Sequence, residues 1–182
     1  MMRLLIAPLM LTLSLAACAP AQTQSPAARP AAMAALPSNP DALFMMAVSM
    51  TNHFEIESSQ AALTKSSRAD VREYAQRMIT EHTNAERQLA QMAAARNVPL
   101  PGQPGPDQRL KIMYASQLSG PNFDAVYLAN QIVGHESAVA LLQSEIGAGR
   151  DPQAVAMARQ MLPIIQDHLA HARRLAGTGN PQ

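Results

Sequence analysis

An all-α four-helix bundle, built as two antiparallel helical hairpins joined by a long crossover, is the fold that the sequence predicts. Three observations carry it. Ala, Leu, Met, Gln, Glu and Arg, all good helix formers, dominate from Asp41 onward, and no strand-like alternation of five or more residues occurs anywhere. Apolar residues recur at spacings of three and four over long stretches. Breakers divide those stretches into two pairs with short turns inside each pair and a Pro/Gly-rich connection between them.

The first helical segment starts at Asp41, with Leu43, Ala47, Met50, Phe54 and Ala61 as its expected stripe. It breaks at Lys65-Ser66-Ser67, where a serine is expected to cap the second segment. There Val71, Ala75, Met78, His82, Ala85, Leu89 and Met92 alternate four and three, the period of a bundle seam. The run Asn97-Val98-Pro99-Leu100-Pro101-Gly102-Gln103-Pro104-Gly105-Pro106 stops any helix. A short helix over Asp107–Leu118 should present Leu110, Met113 or Tyr114, and Leu118 on one face before Ser119-Gly120-Pro121-Asn122 ends it.

The third long segment runs from Phe123-Asp124 to about Ile146, with Tyr127, Leu128, Gln131, His135, Ala138 and Leu142 in one broad face. Gly147-Ala148-Gly149-Arg150 reads as its C-terminal cap. Asp151 as cap and Pro152 at the first position open the fourth, which carries Val155, Ala158, Leu162, Ile165, Leu169, Ala172 and Ala176 inward. A long connection between the second and third helices is the mark of the ferritin-like class of bundle.

Before Asp41 the chain has a different character. Met1-Met2-Arg3, an apolar run from Leu4 to Ala17, and small residues before Cys18 read as a secretory signal peptide over 1–17. The run is too short to span a bilayer as a helix. Leu15-Ala16-Ala17-Cys18 resembles the bacterial lipobox, so Cys18 is expected to become the acylated N-terminus. Two or three acyl chains would hold the protein on a membrane without a transmembrane helix. Ala19 in place of Asp, by resemblance to Gram-negative lipoproteins, favours the outer membrane over the inner. Residues 18–40, with five Pro after the cysteine and Arg29 as the only charge, read as a disordered tether. Residues 41–176 form the expected domain and 177–182 a polar tail.

Composition removes several functions. Fourteen basic against 13 acidic residues leave a formal charge of +1, too balanced for a nucleic-acid footprint. A single Cys makes no internal disulfide, thiolate zinc site or Cys-x-x-Cys redox centre. Nor is there a Gly-rich phosphate loop, a nucleophile elbow or a His-Glu-x-x-His. The 12 Met read as signal-peptide and core residues, since Met is a common gap-filler in cores.

Several strings resemble a known family. Phe54-Glu55-Ile56-Glu57-Ser58-Ser59-Gln60-Ala61-Ala62-Leu63, Met78-Ile79-Thr80-Glu81-His82-Thr83, Leu100-Pro101, Leu118 to Asp124 with Tyr127-Leu128, His135, and Leu162-Pro163 followed by His168-Leu169 are similar to domain of unknown function 4142. The likeness spans about 41 to 176. It implies a ferritin-like fold and an exported, outer-membrane setting, and supplies no reaction.

Of five histidines, at 53, 82, 135, 168 and 171, at least one falls on each long helix. Imidazoles facing inward in a bundle are the raw material of a metal site. Counting from the turns sets His82 level with Asn52 and His53, and His135 level with Ile164, so that His168 is expected one helical turn away. Diiron carboxylate centres need Glu-x-x-His on two helices. Ile79, Ile132 and Ile165 stand where those carboxylates belong, which argues against that chemistry.

Two readings follow. In one, the domain is a non-enzymatic structural, stress-related or interaction module whose histidines are hydrogen-bonded core groups, with a homo-oligomer or an envelope protein as partner. In the other, Glu55, Glu57, His82, His135 and His168 hold a divalent transition metal, Zn, Cu or Fe.

Overall fold

The computed structural model describes residues 39–178, so the signal peptide, Cys18, nearly all of the tether and the tail beyond Thr178 lie outside the described residues. The described chain is helical, with α1 (Pro40–Lys65), α2 (Ala69–Ala94), α3 (Pro106–Ala115), α4 (Gly120–Ala148) and α5 (Pro152–Thr178). None of these helices is long and apolar enough to cross a membrane.

Caps mark the boundaries. The Asn39 side chain accepts from the Asp41 N–H ahead of α1. As expected, Asp151 caps α5, its Oδ1 accepting from the N–H groups of Gln153 and Ala154. The α1–α2 turn works differently from the expected serine cap. Arg68 is the N-cap residue and makes no side-chain cap bond, while Ser66 Oγ accepts the Arg68 N–H one step earlier. Gly149 closes α4 in an extended conformation, not the left-handed one typical of glycine caps. A Cβ there would come within 2.5 Å of Glu145 Oε1, so lack of a side chain is what the turn requires.

Two hairpins, α1–α2 and α4–α5, pack side by side. Ser59 meets Tyr127 while Asp41 Oδ1 accepts from the Arg150 and Asp151 N–H groups, so α1 and α4 run antiparallel. Arg68 reaches the Leu175 carbonyl while Glu81 meets His168, which sets α2 antiparallel to α5. The order is therefore up, down, down, up, and the connection from α2 to α4 must travel the length of the bundle. That is the crossover of the ferritin-like class. The short α3 lies in it, against α1 and α4, on the edge opposite the α2–α5 pair.

Two apolar layers fill the interior. One holds Val71, Tyr74, Met78, Phe123, Tyr127 and Leu175. The other holds Phe44, Met45, Leu89, Leu142, Ala158 and Ile165. Between them a polar belt crosses the bundle: Asn52, Glu55, His82, Gln131, His135 and His168, each at most 3% exposed.

Two expected faces differ from the observed ones. On α1, Leu43 is 42% exposed and Ala47 and Met50 are half-buried, whereas Ala42, Met45, Ser49, Asn52, Glu55, Ser59 and Ala62 point inward. The helix buries a polar stripe because it supplies one wall of the belt. On α3, Leu110, Met113 and Tyr114 are 61%, 59% and 62% exposed, and Ala115 packs inward, while Leu118, just past the helix end, joins the core as expected. The small side chain of Ala115 allows the helix to lie close to α1 and α4.

A candidate metal centre in the polar belt

His82 on α2, His135 on α4 and His168 on α5 converge, with one nitrogen from each ring within 4.8 Å of the others. Their ring centroids form a nearly equilateral triangle of 5.8, 5.5 and 5.3 Å. The expected one-turn offset of His168 is absent at the level of the rings. Side chains lean toward the N-terminus of their own helix, so on antiparallel α4 and α5 the His135 and His168 side chains lean toward each other's level.

Each ring is oriented from behind. Asn52 donates through Nδ2 to Glu86 Oε2 (2.9 Å), so its Oδ1 accepts, at 3.0 Å, the proton on His82 Nδ1. His135 Nδ1 donates to the Gln131 carbonyl at 2.8 Å. His168 Nε2 donates to Glu81 Oε2 at 2.7 Å, and Arg77 holds the other oxygen of that carboxylate. All three partners are acceptors. A neutral imidazole carries one N–H, so each ring has spent its proton outward and turns a lone pair inward.

Electrostatics keep the rings neutral. Burial, and then the two neighbouring imidazoles, pull His82 well below its ordinary value. Burial lowers His135 to about 4, only partly opposed by its backbone hydrogen bond, and burial also lowers His168 despite Glu81. For Glu81 itself burial pushes upward, but Arg77 and His168 outweigh it, so the carboxyl stays ionised.

The consequence appears in two places. His135 Nε2 and His168 Nδ1 stand 3.3 Å apart with no proton between them, an approach of two lone pairs. His82 Nε2 is buried with no hydrogen-bond partner. Tetrahedral zinc with bonds of about 2.0–2.1 Å to imidazole sets its ligand nitrogens about 3.3–3.4 Å apart. One edge of the triangle already has that length, and the third nitrogen lies within 4.8 Å of both.

The carboxylates predicted beside the histidines are placed otherwise. Glu55 is buried, but its Oε1 lies 3.8 Å from His135 Nδ1, behind the ring and away from the converging nitrogens. Burial raises its pKa to about 8, so it is a neutral acid near pH 7. Gly134 gives it room, since a Cβ there would stand 3.1 Å from Glu55 Oε1. Glu57 is exposed beside Pro106 and Arg109 and does not join the centre. His53 is half-buried next to Glu86, and His171 packs edge-on against Tyr74.

Glu81 and Asn52 are the orienting groups that the sequence did not single out in that role. Glu81 carries a usable signal: it precedes His82 and stands four residues after Arg77 on the same helix. A cleft of about 380 Å³ between α2 and α5 reaches the centre, lined by Glu81, His82, Gln88, Met161, Ile164 and His168 among others.

Fold and centre together define a ferritin-like crossover bundle with three convergent, pre-oriented imidazoles in its middle layer. The chain belongs to the family described as Domain of unknown function (DUF4142), whose model matches residues 25–175. The match begins within the tether region, earlier than the resemblance read from the folded segments. No curated protein and no solved structure matches the chain.

Proposed function

We propose that the domain binds one transition-metal ion through His82 Nε2, His135 Nε2 and His168 Nδ1, as a metal-binding protein of the cell envelope. The observation that carries this is the set of three acceptors behind the rings, which leaves three inward lone pairs, one of them buried without a partner. Each buried acceptor left unpaired costs about 1–3 kcal/mol, and a shared cation relieves all three at once. Carboxylate or carbonyl partners behind ligating imidazoles are the usual outer shell of such centres. Neutral imidazole suits Zn, Cu, Fe and Ni, and Ile79, Ile132 and Ile165 in place of the Glu-x-x-His carboxylates argue against a diiron centre.

The test is metal content of the full chain, purified without a His tag, for the wild type and for His82→Ala, His135→Ala and His168→Ala. One metal per chain, lost in each variant, and a lower melting temperature in chelator are expected. Absence of stoichiometric metal with no chelator effect would overturn the reading.

Membrane attachment through a lipid on Cys18 is proposed alongside on the strength of the lipobox sequence, with the outer membrane as its seat because Ala19 follows the cysteine in place of Asp. Loss of palmitate labelling in Cys18→Ser tests it. The exposed Leu110, Met113 and Tyr114 support a second, compatible role in binding an envelope protein or another copy of the chain. A lipid-free form that sediments as a monomer at all concentrations would remove the self-association.

A further inference from the structure

The three histidines approach from α2, α4 and α5, and α1 closes the side behind His82 and His135 through Asn52 and Glu55. The remaining side is the α2–α5 cleft, whose walls include His82 and His168 themselves. We infer that a metal held there keeps its fourth position open to the cleft and takes a small carboxylate ligand from solution. This rests on the metal-binding reading above.

Charge selects an anion. Three neutral imidazoles leave the charge of a divalent ion uncompensated in a layer where the ligands are at most 3% exposed. The one carboxylate on the cleft wall, Glu81, is committed to His168 and Arg77, at 2.7 Å to each. An external donor is what would neutralise the ion. Three-histidine centres with a vacant fourth position behave this way, taking water or substrate there.

The walls select its shape. Asn84, Gln88 and Gln160 offer side-chain amides, while Ala85, Met157, Met161, Ile164 and Ile165 supply apolar surface. The volume, about 380 Å³, far exceeds the ~30 Å³ of one water and falls at the lower end for small-molecule sites. A short-chain carboxylate fits both features, its head on the metal and its tail against Met157 and Met161.

The experiment loads the full chain with Co(II), whose visible bands report coordination, and titrates it with azide, acetate and butyrate. Saturable band shifts are expected, with butyrate binding about tenfold more tightly than acetate because two more methylenes are buried. Ile164→Trp, at the cleft wall, should weaken all three ligands, while Val133→Trp, exposed on α4 outside the cleft, should not. Histidine-dependent Co(II) binding with bands indifferent to every anion would overturn the open position and leave the metal reading intact. Azide binding without acetate or butyrate binding would overturn the carboxylate class, and equal acetate and butyrate affinity would overturn the apolar seat for its tail. Failure of Co(II) to bind in a histidine-dependent way would overturn both.

Discussion

Replacing Glu55 by Gln should change how stability depends on pH, and by a large amount. Glu55 is 0% exposed, neither carboxyl oxygen has a hydrogen-bond partner, and burial raises its pKa from 4.5 to about 8. Below pH 4.5 the group is protonated in both the folded and the unfolded chain and contributes no pH dependence. Between 4.5 and about 8 the unfolded chain gives up the proton and the fold keeps it, so stability falls as pH rises. At about 1.4 kcal/mol per pH unit, the loss between pH 5 and pH 8 is about 4 kcal/mol in the wild type. Glu55→Gln, nearly the same in shape, removes that slope. The lowered histidines titrate in both proteins and cancel in the comparison. Urea unfolding in chelator at pH 5 and pH 8 measures it: the variant should gain stability relative to the wild type by several kcal/mol across the interval. Parallel pH profiles would refute the reasoning, because they would mean that Glu55 ionises in the fold as it does in water.

Three further outcomes are expected. Glu81→Gln removes the carboxylate that orients His168 and should weaken metal binding about 10- to 100-fold by equilibrium competition, with the fold retained. Leu89→Ala, at a fully buried position, should cost about 2–5 kcal/mol by denaturant unfolding, whereas Leu110→Ala on the exposed face of α3 should stay within about 0.5 kcal/mol. Gly149→Ala should lower the melting temperature by disturbing the α4–α5 turn, because its Cβ would meet Glu145 Oε1 at 2.5 Å and the Glu145 carbonyl at 2.6 Å.

The four long helices and their turns were readable because Pro, Gly and Ser punctuate them and because α2 and α5 have apolar stripes of helical period. Register counting from the turns placed Asn52 beside His82, where the 3.0 Å bond lies. It misplaced His168, since counting backbone positions ignores the lean of side chains on antiparallel helices. α1 was misread for a physical reason: its inward face carries Ser49, Asn52, Glu55, Ser58 and Ser59, and a search for apolar period overlooks a helix that buries polar groups. α3 departs the other way: of its expected apolar face, Leu118 reaches the core while Leu110, Met113 and Tyr114 lie in solvent. Glu55 and Glu57 were both plausible ligands by type and neighbourhood. One residue type two positions apart on a helix points to different sides, so the fold brings one of them inside and leaves the other out.

The centre draws its three imidazoles from three helices on both sides of the crossover, with 33 positions separating His135 from His168 and 87 separating Glu81 from the ring it orients. No stretch of the unfolded chain contains more than a fragment of it. Neither hairpin alone contains it either, since α1–α2 offers only His82 and α4–α5 lacks that nitrogen. Tight metal capture would therefore mark the docking of one hairpin on the other, and the ion would act as a reversible cross-link between them. Because it would bind the docked hairpins and not the unfolded chain, its binding free energy would add directly to the stability of the fold.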